Sequence, residues 1–260
     1  MSFTIRDASP RPAAFTRRGR PNGAEGIHQI HIHATRGKTV LNRQVSATEN
    51  WLANGPDRGG WGSSADFVVG PDFREADRIV IVQFGNWLRT FSSWSAGYGS
   101  LGATQEWGAA EVGVAVEVAQ PAKFQAGEYV PGDSDVPFSD ELVEAVAWLC
   151  RHINQELEAA GGLAVPTTHI EQWNQRHHDP IPRGYIGHDE LANGLKLGKT
   201  DPGQMWDWPL FLRQVGTVVD DSMSPPLSKL DAGFAAWRLG VVPQPRTAAA
   251  DMYELRIKRR

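Results

Sequence analysis

Cysteine is almost absent from this chain: 260 residues contain one, Cys150. A single thiol excludes an internal disulfide, so the fold needs no oxidising compartment. A strong net charge is also missing. The formal charge of −4 creates no global field, which predicts no nucleic-acid partner and no anionic membrane partner. No apolar run approaches bilayer length. The opening stretch MSFTIRDASPRPAAFTRRGRPNGAEG has no apolar core of the signal-peptide type, so synthesis without export by that route is expected. Internal repeats and low-complexity tracts are lacking too. What remains is an ordinary globular composition, with 41% hydrophobic and 22% charged residues. The length suits one large domain, or one domain with an appendage.

The pattern along the chain predicts an α/β fold in which a mixed β-sheet is flanked by helices. Residues 1–26 are rich in Arg, Pro and Gly and have no period, so they read as an extended N-terminal arm. In IHQIHIH (27–33), Ile30 and Ile32 fall on one strand face, and Gln29, His31 and His33 on the other. Residues 40–53 read as a short helix. DFVVG (66–70) and RIVIVQF (78–84) are β-rich runs around a Gly-Pro-Asp turn, which predicts an antiparallel pair. Residues 85–111 carry repeated Gly, Ser and Trp without a period; a loop this long is usually functional. VGVAVEVAQ (112–120) is a further strand.

The strongest helix spans 139–162, where Leu142, Val146, Leu149, Cys150, Ile153 and Leu157 form one apolar stripe. Asp140 and Glu141 suit its first turn and Gly161-Gly162 its end. Cys150 lies on the stripe and reads as a structural residue. Beyond the main domain (27–215), residues 216–260 form a C-terminal extension with a helical signal at 226–239, a Pro-rich break at 243–245 and a basic end, RIKRR. The 10 tryptophans are either core anchors or flat walls for a sugar or peptide substrate.

Histidine carries the most chemistry here. Neutral imidazole is a common zinc ligand, and a catalytic zinc usually takes three protein ligands. His31 and His33 share a strand face, His188 lies in IGHDE, and Asp201 lies in KTDPG, where Pro202-Gly203 makes a turn able to fix a carboxylate. An H-x-H pair can grip one metal by itself, contribute one ligand, or contribute none. Lys199 stands two residues before Asp201 and can face the same pocket.

IHIHATRG, VAVEVAQ, IGHDE and GKTDPGQMWDW, in this order, resemble the zinc-dependent N-acetylmuramoyl-L-alanine amidases, whose fold is shared by phage amidase-type lysozymes and peptidoglycan recognition proteins. The resemblance runs from about residue 27 to 215, and KTDPG followed by MWDW is its most specific part. It implies a Zn²⁺ cofactor held by His33, His188 and Asp201. It further implies Glu117 as general base and Lys199 as the oxyanion partner. Thr35, Trp94 and Ser95 fall where the family meets its substrate; His31 takes the family's usual aliphatic position, where it either orients substrate or a group beside the metal, or only lines the pocket wall.

Two departures stand out. Ala65-Asp66-Phe67 replaces the Tyr-His-Phe or Ser-His-Phe of many relatives, leaving Glu117 as the base and Asp66 next in line; Ser95 replaces a substrate-holding histidine. The segment ELANGLKLG between the second and third ligands reads as an inserted loop beside the site.

The resemblance implies cleavage of the amide between N-acetylmuramic acid and L-alanine in peptidoglycan, as by a bacteriolytic phage endolysin or a recycling enzyme. A muropeptide-binding protein without hydrolysis is the alternative, although such relatives typically lose a metal ligand. An unrelated metallohydrolase barrel using the H-x-H pair ranks last, because the chain has too few βα units.

Overall fold

The structure, a computed structural model, describes residues 3, 5–8, 17–20, 22–35, 44–54, 65–75, 78–92, 108–119, 123–125, 128–130, 137–174, 180–196 and 198–217. Residues 3–217 belong to one compact unit. The helical signal at 226–239 and the rest of the C-terminal extension lie outside the described residues.

Among the described residues ten strands occur, in chain order: β1 (Ile5–Asp7), β2 (Arg17–Gly19), β3 (Gln29–Ala34), β4 (Phe67–Asp72), β5 (Arg78–Gln83), β6 (Thr90–Ser92), β7 (Gly113–Val118), β8 (Lys123–Gln125), β9 (Glu128–Val130) and β10 (Gly184–Gly187). Six of them form the main sheet, in the order β1-β5-β4-β7-β3-β10. The sheet is mixed, as expected: β4 and β5 are antiparallel, and the other pairings are parallel. β2 with β6, and β8 with β9, make two antiparallel ribbons.

The helices are α1 (Val45–Asn54), α2 (Ala109–Val112), α3 (Asp140–Ala159), α4 (Ala192–Lys196) and α5 (Trp208–Gly216). α3 starts where the sequence predicts, because the Ser139 hydroxyl accepts from the Leu142 N–H at 3.2 Å. α5 starts the same way, with Asp207 accepting from Leu210 N–H at 2.8 Å and a proline in its first turn. An Arg151 guanidinium N–H donates to the Gln214 carbonyl and ties α3 to α5.

One face of the sheet is covered by a single apolar layer. Ile30 and Ile32 of β3 and Val114, Val116 and Val118 of β7 pack there with Val146, Leu149, Cys150 and Ile153 of α3 and with Phe211 and Val215 of α5. Cys150 is buried and its thiol pKa is raised by burial, in keeping with a structural role. Trp87, Trp173 and Trp206 are core anchors, each no more than 4% exposed.

The N-terminal segment contributes more than an arm. β1 adds the edge strand beside β5, and Arg20 is buried, donating to the carbonyls of Trp87, Glu111 and Gly113. The expected loop 85–111 contains β6 and α2 among its described residues. The expected inserted loop ELANGLKLG is instead largely the helical turn α4.

Candidate metal and active site

β3 runs between β7 and β10 and is buried on both faces. A central parallel strand has no solvent side, so the polar alternation Gln29, His31, His33 marks a buried polar layer and not a wet surface. His33 is the penultimate residue of β3 and Glu117 is its register partner on β7, so the two side chains leave the sheet on the same face. β10 runs parallel to β3 and ends at Gly187; the next residue, His188, begins a 3-10 turn. The site therefore lies at the carboxyl ends of three parallel strands.

Two backbone devices hold the His188 segment. Gly194 of α4 passes so close that a Cβ there would lie 1.7 Å from the His188 carbonyl oxygen, so the close approach requires glycine. Glu190 accepts from the Gly187 N–H at 2.5 Å and from His169 at 2.6 Å. His169 in turn stacks on Trp208, with ring centroids 4.0 Å apart. Asp201 reaches the site through backbone pairing: its carbonyl accepts from the Asp189 N–H at 2.9 Å, and the Lys199 N–H donates to Gly194 at 2.8 Å. The bond between Asp201 and Pro202 is cis.

These elements bring three donor atoms together. His33 Nδ1 lies 3.1 Å from His188 Nδ1 and 3.5 Å from Asp201 Oδ2, and His188 Nδ1 lies 3.3 Å from the same oxygen. All three residues are buried. Tetrahedral zinc with ligands at about 2.0–2.2 Å has ligand-to-ligand edges of roughly 3.3–3.6 Å, so the triangle, with edges of 3.1, 3.3 and 3.5 Å, is close to one face of such a site. The donor set of two imidazoles and one carboxylate suits a divalent metal of this kind. These three residues are the group of His, Cys, Asp and Glu side chains able to hold a metal ion among the described residues.

The electrostatics agree with that chemistry. Burial and the neighbouring His188 hold the His33 pKa below the usual histidine value, with Asp201 opposing them, so the ring is neutral and free to ligate. Burial works to raise the Asp201 carboxyl, but its hydrogen bonds with His188 and His33 outweigh it and hold the group well below the usual carboxylate range. Glu117, half-buried, is pushed up to about 8 by burial and by the charge of Asp201, with Lys199 pulling the other way. Lys199 itself is exposed and influences both Glu117 and His33 through its charge.

The remaining candidates sit as follows. His31 is fully buried, and its ring lies over Gly113, where a Cβ would come within 2.1 Å of it. Thr35 is half-buried, and its N–H donates to the Val118 carbonyl at 2.9 Å. Asp66 is buried and accepts from the Ala115 N–H at 3.0 Å. Trp94 and Ser95 lie outside the described residues. The sequence reading missed Gln29 as a partner of His31, Arg20 as a buried cation, and Glu190 as a brace for His188. Gln29 left a signal in its place on the His31 face of the strand, and Glu190 in standing three residues beyond Gly187 in a turn-forming stretch.

No protein-family model and no curated protein matches the sequence. Solved structures do match the fold. The chain is similar to a mutant endolysin from Bacillus subtilis, with a TM-score of 0.50 and 16% identity, covering 83% of this chain and 100% of that one. It is also similar to the hydrolase AmiA from Staphylococcus aureus in complex with its ligand (TM-score 0.48, 12% identity, 83% and 84% covered). A third structure is AmpDH3 from Pseudomonas aeruginosa in complex with anhydromuramic pentapeptide (TM-score 0.43, 18% identity, 95% and 78% covered). The endolysin match establishes the architecture: this chain has the fold of that endolysin.

Proposed function

We propose that this protein is a zinc-dependent peptidoglycan hydrolase that cuts the amide between the lactyl group of N-acetylmuramic acid and L-alanine of the stem peptide. The observation that carries the reading is the buried triangle of His33, His188 and Asp201 at the strand ends. Its edges and donor types fit zinc, and it stands on an endolysin fold. Muropeptide is the substrate in this reading, and an endolysin is the setting favoured for it, since the fold match spans the whole of the Bacillus subtilis endolysin chain.

Zinc supplies polarisation of the amide carbonyl and acidification of a water molecule. The chain supplies the rest. Glu117, across the ladder from His33, takes a proton from the attacking water and returns it to the leaving nitrogen, as a general base and then acid. A carboxyl pushed up to about 8 is a strong enough base for that task, and it ionises more readily once a cation occupies the triangle. Lys199 holds the developing oxyanion, a contribution of about 3 kcal/mol by analogy with other oxyanion donors. Thr35, Trp94 and Ser95 are assigned to substrate contact.

Digestion of purified cell wall followed by mass spectrometry tests the reading. Release of intact stem peptides beginning with L-alanine, with the glycan strands left uncut, is the expected result. Retention of the protein on the wall with no amide cut would leave a muropeptide-binding protein instead.

A further inference from the structure

His31, expected from the sequence to meet substrate, is wholly buried two residues from a proposed ligand and on the same strand face. Its protonation pattern follows from its neighbour. The Gln29 amide N–H₂ donates to the Pro182 carbonyl at 3.1 Å, which turns the Gln29 carbonyl oxygen toward His31 Nε2 at 2.9 Å. That oxygen only accepts, so His31 Nε2 carries the ring proton. In the neutral ring Nδ1 is then a bare acceptor, and it has no hydrogen-bond partner among the described residues.

His33 presents the opposite case. With its Nδ1 turned to His188 and Asp201, a neutral ligating ring keeps its proton on Nε2. That nitrogen is also buried without a partner among the described residues. One ring thus offers an unused donor and the other an unused acceptor, on one face of one strand. Their centroids are 6.4 Å apart with planes at 61°. Leaving both atoms unsatisfied would forfeit the full solvation of each, with nothing in return. No hydrogen bond joins the two atoms directly, and a buried water is the usual partner of such a donor and acceptor pair.

We propose that His31 is a positioning residue for the metal site: its Nδ1 accepts, through one buried water, the proton on His33 Nε2, and so fixes the tautomer that leaves His33 Nδ1 free for the metal. The chain runs from His33 through the water to His31, then to Gln29 and the Pro182 carbonyl. Gly113 is part of the device, because any side chain there would collide with the His31 ring. The inference rests on the metal reading of His33.

The test uses the full chain. Long-range ¹H–¹⁵N correlation of the histidine rings in the zinc-loaded protein is expected to find His33 protonated on Nε2 and His31 protonated on Nε2 with a bare Nδ1. Chelator competition should give His31→Leu a zinc affinity roughly 10- to 100-fold weaker, with His31→Gln, which keeps an acceptor, closer to the parent. Gly113→Ala, which displaces the ring without removing it, should fall on the weak side. Zinc held by His31→Leu as tightly as by the parent, or a proton on His31 Nδ1 in the parent spectrum, would overturn the proposal. The spectrum needs no variant to fold. Failure of the unaltered protein to bind zinc at all is a separate result, which sinks the metal reading and this inference together.

Discussion

The two faces of strand β3 are built to opposite rules. Behind the sheet, Ile30 and Ile32 meet α3 and α5 in an apolar layer where shape is the only requirement. In front, Gln29, His31 and His33 are equally buried, but each polar atom needs a specific partner. The back face contributes stability that survives conservative exchange of side chains. The front face costs stability wherever a partner is missing, a cost that the proposed metal site accounts for, since His33 is one of its ligands. Substitutions on the two faces should therefore separate stability from metal binding and turnover.

The largest effect is expected at the triangle. His33→Ala, His188→Ala and Asp201→Ala each remove one of three donors. Each should lower zinc affinity by more than the ~10- to 100-fold typical of changes outside the ligand set, and wall hydrolysis should fall with it. Metal analysis after dialysis measures this; a fully loaded His33→Ala protein would remove His33 from the ligand set.

Glu117→Gln comes next. It should keep the zinc and lose about 10²- to 10⁴-fold in kcat, read by steady-state kinetics on a soluble muramyl peptide. The same variant has a signature in the metal-free protein. Folded Glu117 keeps its proton up to about pH 8, against 4.5 for the ordinary group. Between those values the unfolded chain has already lost the proton, so the stability of the parent falls as pH rises through this window. Glu117→Gln has no such proton, so its stability relative to the parent should grow by a few kcal/mol, on the order of 4, from pH 4 to 9. Parallel urea melts across that range check the sign; a constant difference would return Glu117 to the status of an ordinary strand charge.

Lys199→Met should cost roughly 10²-fold in kcat with little change in KM or zinc content, since an oxyanion contact strengthens in the transition state. A loss confined to KM would instead make Lys199 a substrate-binding group. Ile32→Val on the back face is the smallest change. It should lower unfolding free energy by about 0.5–1.5 kcal/mol and leave zinc affinity at the parental level. Weakened zinc binding there would mean that the two faces are coupled through the strand.

Much of the front face was legible in the sequence. The H-x-H alternation put His31 and His33 on one face, and KTDPG marked a fixed carboxylate beside a lysine. Strand and helix positions followed the periods closely, so α3 and β7 differ from their expected spans by one to three residues at each end. The unread parts depend on contacts distant in sequence. β1 has three residues and no measurable period; it becomes a strand only because β5 offers an edge. Nothing in RRGRPNG distinguishes the buried Arg20 from its neighbours, because its carbonyl partners lie 67 to 93 residues away. Gly113 reads as a strand start, and its purpose is visible only when His31 is seen above it.

The buried arginine bears on how the molecule tolerates being cut. A fragment beginning at residue 27, where the sequence suggests a boundary, would lose β1 and Arg20 together. The outer hydrogen-bonding edge of β5 would then lie open along Ile81 to Gln83, beside an apolar run, RIVIVQ. An uncovered edge of that kind is a template for pairing between molecules, and the Glu111 and Gly113 carbonyls would lose their donor. Such a fragment should keep every proposed metal ligand and still be prone to aggregate, because β1 and Arg20 cover what it would expose.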